Sequence, residues 1–164
     1  MKLKTLAFIA LSLVIASCST TKKSSTSGSS DEMVTEGSSM GLEINGDSDS
    51  GRAGALNTVY FAFDSSALST STRRTLSANA EFLKNNPNAS IQIEGHCDER
   101  GGVQYNLALG ERRALAVRNY LSALGVSSGR MSTISYGKER PLAFGHDEES
   151  WSKNRRANFV IVEL

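Results

Sequence analysis

An apolar stripe on one predicted helix constrains this chain more than any other feature. Leu107, Gly110, Ala114, Val117, Leu121 and Leu124 recur at alternating intervals of three and four, the repeat of a helix that buries a single face. Gly125 follows, where a left-handed cap ends helices. Upstream, Ile91 and Ile93 alternate with Gln92 and Glu94 as in a strand, and Gly95 with Gly101-Gly102 brackets a loop. A further strand is expected over about Met131 to Tyr136. Strand, helix and strand in that order require a crossover between parallel strands of one sheet.

The flanking sequence completes a small domain. Val59, Phe61 and Phe63 alternate with Thr58, Tyr60 and Ala62 as a strand, and Asp64-Ser65-Ser66 ends it and stands ready to cap the next helix. Thr70 to Lys84 reads as that helix, with Leu76, Ala80 and Leu83 inside; Asn85-Asn86-Pro87 stops it. A short helix is expected around Glu148–Lys153, then a last strand from Ala157 to Val162. The predicted class is α+β, in the order β-α-β-α-β-β over residues 57–164. Two helices lie on one face of a small mixed sheet, with length enough for one core.

The other end of the chain has a different character. Lys2 and Lys4 precede an apolar run from Leu6 to Ala16, shorter than the roughly 20 residues that cross a bilayer. A basic start, a short apolar centre and small residues after it make a secretory signal peptide over residues 1–17. Ile15-Ala16-Ser17-Cys18 resembles the bacterial lipobox, so Cys18 is expected to carry acyl chains that anchor the chain in a membrane. By resemblance to the sorting rule for such lipoproteins, Ser19 directs it to the outer membrane. Residues 18–56 are rich in Ser, Gly and acidic side chains without apolar period, and are expected to form a flexible tether with a span of roughly 30–40 Å.

The chemistry concentrates in Glu94-Gly95-His96-Cys97-Asp98-Glu99-Arg100-Gly101-Gly102 and the helix after it. Helical geometry sets Asn106, Leu109 and Arg113 within roughly 60° of one another, beside the core stripe, with the Arg113 guanidinium expected to emerge at the sheet rim. A guanidinium forks onto a carboxylate, and an aspartate accepts bonds from an ammonium. Asp98 and Arg113 therefore read equally well as a grip for a zwitterion or as a pair that staples the loop to the helix. Three consecutive residues such as His96-Cys97-Asp98 seldom converge on one metal, and an adjacent thiol and imidazole do not face each other across a cleft as a hydrolase needs. No catalytic, metal or cofactor site is expected; His96 is read as hydrogen-bonded within the loop and Cys97 as filling a small slot. The pairs Arg112-Arg113 and Arg155-Arg156 read as mostly solvated. A formal net charge of +1 gives no support for nucleic-acid binding.

Val59-Tyr60-Phe61-Ala62-Phe63-Asp64, Gly95-His96-Cys97-Asp98, Asn106-x-x-Leu109-Gly110-x-x-Arg113-Ala114, Ser135-Tyr136-Gly137-Lys138-Glu139-Arg140-Pro141 and Lys153-Asn154-Arg155-Arg156 together resemble the outer-membrane-protein-A-like (OmpA-like) family of peptidoglycan-binding domains, in particular its lipoprotein branch. The resemblance runs from about Val59 to Val160. It implies that Asp98 and Arg113 hold the diaminopimelate of a peptidoglycan stem peptide, with Phe63, Asp64, Arg100, Asn106 and Leu109 shaping the pocket. It also implies peptidoglycan and a TolB-like periplasmic β-propeller as partners, in a system that constricts the envelope at division. Members of that branch often carry Thr-Pro-Glu where this chain has Gly102-Val103-Gln104. The alternatives are an outer-membrane lipoprotein of the same fold that binds peptidoglycan without Tol partners, and a cell-wall hydrolase.

Overall fold

The computed structural model describes residues 42–164. The signal peptide over 1–17, Cys18 and the tether as far as residue 41 lie outside the described residues. Strand β1 is Val59–Tyr60, helix α1 Thr70–Asn85, β2 Ser90–His96, α2 Val103–Ala123, β3 Met131–Gly137, α3 Glu148–Asn154 and β4 Arg156–Glu163. The sheet order is β1-β4-β2-β3. β2 and β3 run parallel, with α2 as their crossover, while β4 is antiparallel to both β2 and β1.

Both long helices lie on one face. Leu76, Ala80 and Leu83 of α1 and Ala114, Val117 and Leu121 of α2 share a single apolar cluster with Ile91, Ile93, Phe159 and Ile161 of the sheet. α1 starts at Ser69, whose hydroxyl accepts from Thr72 N at 3.1 Å, an N-cap. The expected cap at Asp64-Ser65-Ser66 is therefore displaced by a few residues. Asp64 instead adopts a left-handed φ of 50°, and the chain turns away from the sheet there. That turn also shortens the first strand: beyond Tyr60 only the Phe61 N–H, donating to Arg155 O, continues the pairing. α2 ends as the sequence predicts, with Gly125 at φ 96°.

The boundary expected at residue 57 falls inside the folded region. Residues 42–56 form a strap, closed by a bridge between Leu42 and Ala53, that lies along β4. Asn45 N donates to Ile161 O at 2.8 Å, Ile161 N to Gly46 O at 3.0 Å, and Ser48 N to Phe159 O at 2.9 Å. β1 covers only Arg156 and Ala157 of β4, so the remaining edge has backbone groups to satisfy, and the strap supplies them. Ala53 and Leu56 enter the core. A composition poor in apolar residues reads as tether because it ignores an edge that needs a partner.

Candidate functional site

The site begins with an unusually close approach between β2 and α2. A Cβ on Gly95 would lie 1.9 Å from Gly110 O, and one on Gly110 would lie 2.2 Å from Ser135 Oγ. Only glycine at both positions lets strand and helix meet backbone to backbone. The residues just beyond Gly95 on the strand and just around Gly110 on the helix are thereby brought together. These are Cys97 and Asp98 on one side, Asn106, Leu109 and Arg113 on the other.

Arg113 is wholly buried, so its guanidinium does not emerge at the rim as the sequence suggests. It is fixed by backbone carbonyls from three segments. Nε donates to Ser65 O at 2.9 Å, Nη1 to His96 O at 2.7 Å, and Nη2 to Ala62 O at 3.1 Å. Nη1 also donates to Cys97 Sγ at 3.4 Å, and the ring of Phe61 lies 5.0 Å below. Of the five N–H donors of a guanidinium, one on Nη2 has no partner among the described residues. No carboxylate among them lies within ion-pair reach of Arg113. Burial pulls its pKa below the usual arginine value.

Asp98 is also buried, but its charge is doubly answered. Arg100 donates from Nη2 to Oδ2 at 2.7 Å and from Nε and its backbone N to Oδ1, each at 3.2 Å. Arg155 Nη1 reaches Oδ2 at 3.2 Å. Burial alone would push the carboxyl up; the bonds from Arg100 and Arg155 outweigh it and hold the group below its ordinary value. Arg100 is clamped between the rings of Phe63 and Trp151, 4.0 Å from each, and its side chain stays 31% exposed. Arg155 is deeper, at 7%, donating to Phe61 O and to Glu148.

Asp98 and Arg113 do not pair with each other. Both line one cavity of about 160 Å³, together with Phe63, Asp64, Arg100, Asn106 and Leu109, so the seven residues singled out from sequence converge there. Asn106 ties down the loop, donating from Nδ2 to Arg100 O and Gly102 O. Tyr105 donates its hydroxyl to Asp64. Cys97, Tyr105 and Arg155 also line the cavity but are not among the pocket residues expected from sequence. The Arg155-Arg156 pair, at the junction of α3 and β4, is buried rather than solvated because each arginine finds a carboxylate. A larger groove of about 600 Å³ runs beside β1, but Lys153 is its only charged lining residue. It lacks the paired opposite charges that line the smaller cavity.

His96 and Cys97 take separate surroundings. Cys97 fills a buried slot and donates to Asn106 O at 3.4 Å; burial raises its thiol pKa. His96 packs against Tyr136 on the opposite face. The expected loop hydrogen bond is not made: neither ring nitrogen has a hydrogen-bond partner among the described residues, and Nε2 reaches Glu94 Oε2 only at an ion-pair distance of 3.5 Å. Among the described residues no cluster of three or more His, Cys, Asp or Glu side chains is placed to hold a metal.

A model of the OmpA family matches residues 60–155. The peptidoglycan-associated lipoprotein of Pasteurella multocida is 52% identical over 101 residues, covering 62% of this chain and 67% of that protein. Its namesake from Haemophilus influenzae is 50% identical over 101 residues, covering 62% and 66%. The matched stretch thus spans about two thirds of these relatives' own length. The crystal structure of the peptidoglycan-associated lipoprotein from Burkholderia pseudomallei superposes with a TM-score of 0.62 at 50% identity, over 63% of this chain and 88% of that one. The periplasmic domain of Helicobacter pylori MotB, 22% identical with a TM-score of 0.54 over 60% of this chain and 68% of that one, shares the fold.

Proposed function

This chain belongs to the OmpA family, and on that premise we propose that it grips the diaminopimelate of peptidoglycan stem peptides non-covalently. Acyl chains on Cys18 hold it in the outer membrane, with the domain in the periplasm, so that the molecule fastens membrane to wall. One observation carries the reading. A buried guanidinium that has, among the described residues, a spare donor and no carboxylate of its own lines the same small cavity as a buried aspartate. A buried cation is costly unless an anion answers it, and the carboxylate of an amino-acid head group supplies one. Its ammonium goes to Asp98. Arg100 is the more exposed of the two arginines on that carboxylate, so it gives way while Arg155 keeps its bond. Nothing in this mechanism breaks a covalent bond.

Neither attachment has to be strong. Once the membrane holds one end, the wall contact forms at a high effective concentration set by the tether. A TolB-like periplasmic propeller is the second partner, as in a Tol-Pal envelope-constriction system; this partner is inferred from family resemblance. Pull-down on purified sacculi tests the pocket. Asp98→Ala and Arg113→Ala are expected to lose the sacculus, and if both sediment with it as wild type does, the assignment is wrong.

A further inference from the structure

The site has two faces of support, and only one is the apolar core. Ala157, Phe159 and Ile161 of β4 point to the helices, so Arg156 and Asn158 point the other way. On that back face the strap meets them. Arg156 Nε donates to Asp49 Oδ2 at 2.7 Å, both side chains being nearly buried. Ser48 Oγ and Asp49 N donate to Asn158 Oδ1 at 2.8 and 3.1 Å. Asn158 Nδ2 in turn donates to Glu94 Oε2 at 2.9 Å, and Glu94 flanks His96.

Each chain of contacts ends at one pole of the cavity. Arg156 is next to Arg155, which holds Asp98. His96 presents the carbonyl that holds Arg113. We infer that the strap is a positioning element of the ligand site: Asp49 acts through Arg156 on the arginine that aims Asp98, and Ser48 acts through Asn158 and Glu94 on the strand end that aims Arg113. The inference rests on the ligand reading above, and it assigns a role in binding to a segment whose composition suggests a mere leash. Among the described residues the polar partners of Asp49 are Thr58, Arg156 and Asn158, none of them lining the cavity, so its effect runs through those neighbours.

The test uses the full chain titrated with a diaminopimelate-terminated tripeptide, each variant being verified as folded by circular dichroism at the titration temperature. Asp49→Ala is expected to weaken binding by roughly two- to thirtyfold, the range for residues that act through others. It is also expected to shift the Nε–H resonance of Arg155 more than that of Arg113, and Asp49→Glu restores most of both the binding and the shift. Ser48→Ala is the milder probe should Asp49→Ala fail to fold, and it is expected to shift the Arg113 resonance more than that of Arg155. Folded variants that bind as wild type with unmoved arginine resonances overturn the inference. A wild type that ignores the tripeptide, or an Arg113→Ala that binds it equally well, sinks the ligand reading instead. The arginine resonances still decide the strap's role in that case.

Discussion

At one end of the cavity a buried cation is held by neutral carbonyls and meets no anion among the described residues; at the other a buried anion is held by two cations. Arg113 and Asp98 are both buried and both line the same cavity of about 160 Å³, yet their electrostatic situations are opposite. On the proposed reading, an arriving carboxylate completes the Arg113 end with little to displace. The Asp98 end is already satisfied, and an ammonium must compete with Arg100 for it. On the proposed reading, the carboxylate should supply most of the affinity and the ammonium should mainly select among carboxylates.

That asymmetry is open to attack by substitution. Arg113→Ala should be the most damaging change, costing about 2–5 kcal/mol of binding, the scale for truncating a buried charged partner. It also strands the carbonyls of Ala62, Ser65 and His96, so urea unfolding should show lower stability. Arg113→Lys should not rescue it, since an ammonium cannot reproduce a three-way planar fork. Asp98→Asn should cost less, about 1.5–2 kcal/mol by calorimetric titration, the scale of a lost charged hydrogen bond. A larger loss from Asp98→Asn than from Arg113→Ala would reverse the comparison.

Arg100→Gln sharpens it further. Removing the main donor to Asp98 should let its carboxyl titrate nearer the ordinary value by NMR, with affinity changing by less than about 1 kcal/mol, since Arg155 still holds the group. Acid gives the smallest and most graded effect. Burial depresses the pKa of His96, so its stabilisation is complete above about pH 6.5 and is lost as pH falls through the folded value. Asp98, also held low, keeps its contribution above about pH 4 and loses it below, through its own depressed value. His146 runs the other way. Its bond to Glu99 raises its pKa, so that contribution is present below about pH 6.5 and fades as pH rises through the folded value. Urea midpoints should therefore fall on acidification, His96 first and Asp98 later, and His96→Gln should flatten the upper part of the fall.

Periodicity made the core and its scaffold legible. The α2 stripe, its Gly125 terminus, the Ile91/Ile93 strand and the parallel β2–β3 crossover come from spacing and elementary sterics, and the helices and strands form within a few residues of their expected bounds. Motif residues in the loop and on the helix converge for the same reason: they flank the Gly95–Gly110 contact. Features decided by partners distant in sequence escaped. The strap has too few apolar residues to announce itself, and docks because β4 offers unpaired backbone. Arg155 and Arg156 look solvated in a run of charges, yet each is buried by a carboxylate, Asp98 in one case and Asp49 in the other. Arg113 looks like a rim residue because its helical angle lies beside the stripe, whereas the turn at Asp64 folds Ala62 and Ser65 over it.

The most direct measurement compares a diaminopimelate-terminated stem peptide with its carboxamide analogue, titrated against wild type and Arg113→Ala. Amidation should weaken binding to wild type by more than about 1.5 kcal/mol, and the difference should vanish in Arg113→Ala, because the carboxylate then has no guanidinium to meet. Equal affinity of wild type for both peptides would contradict the account.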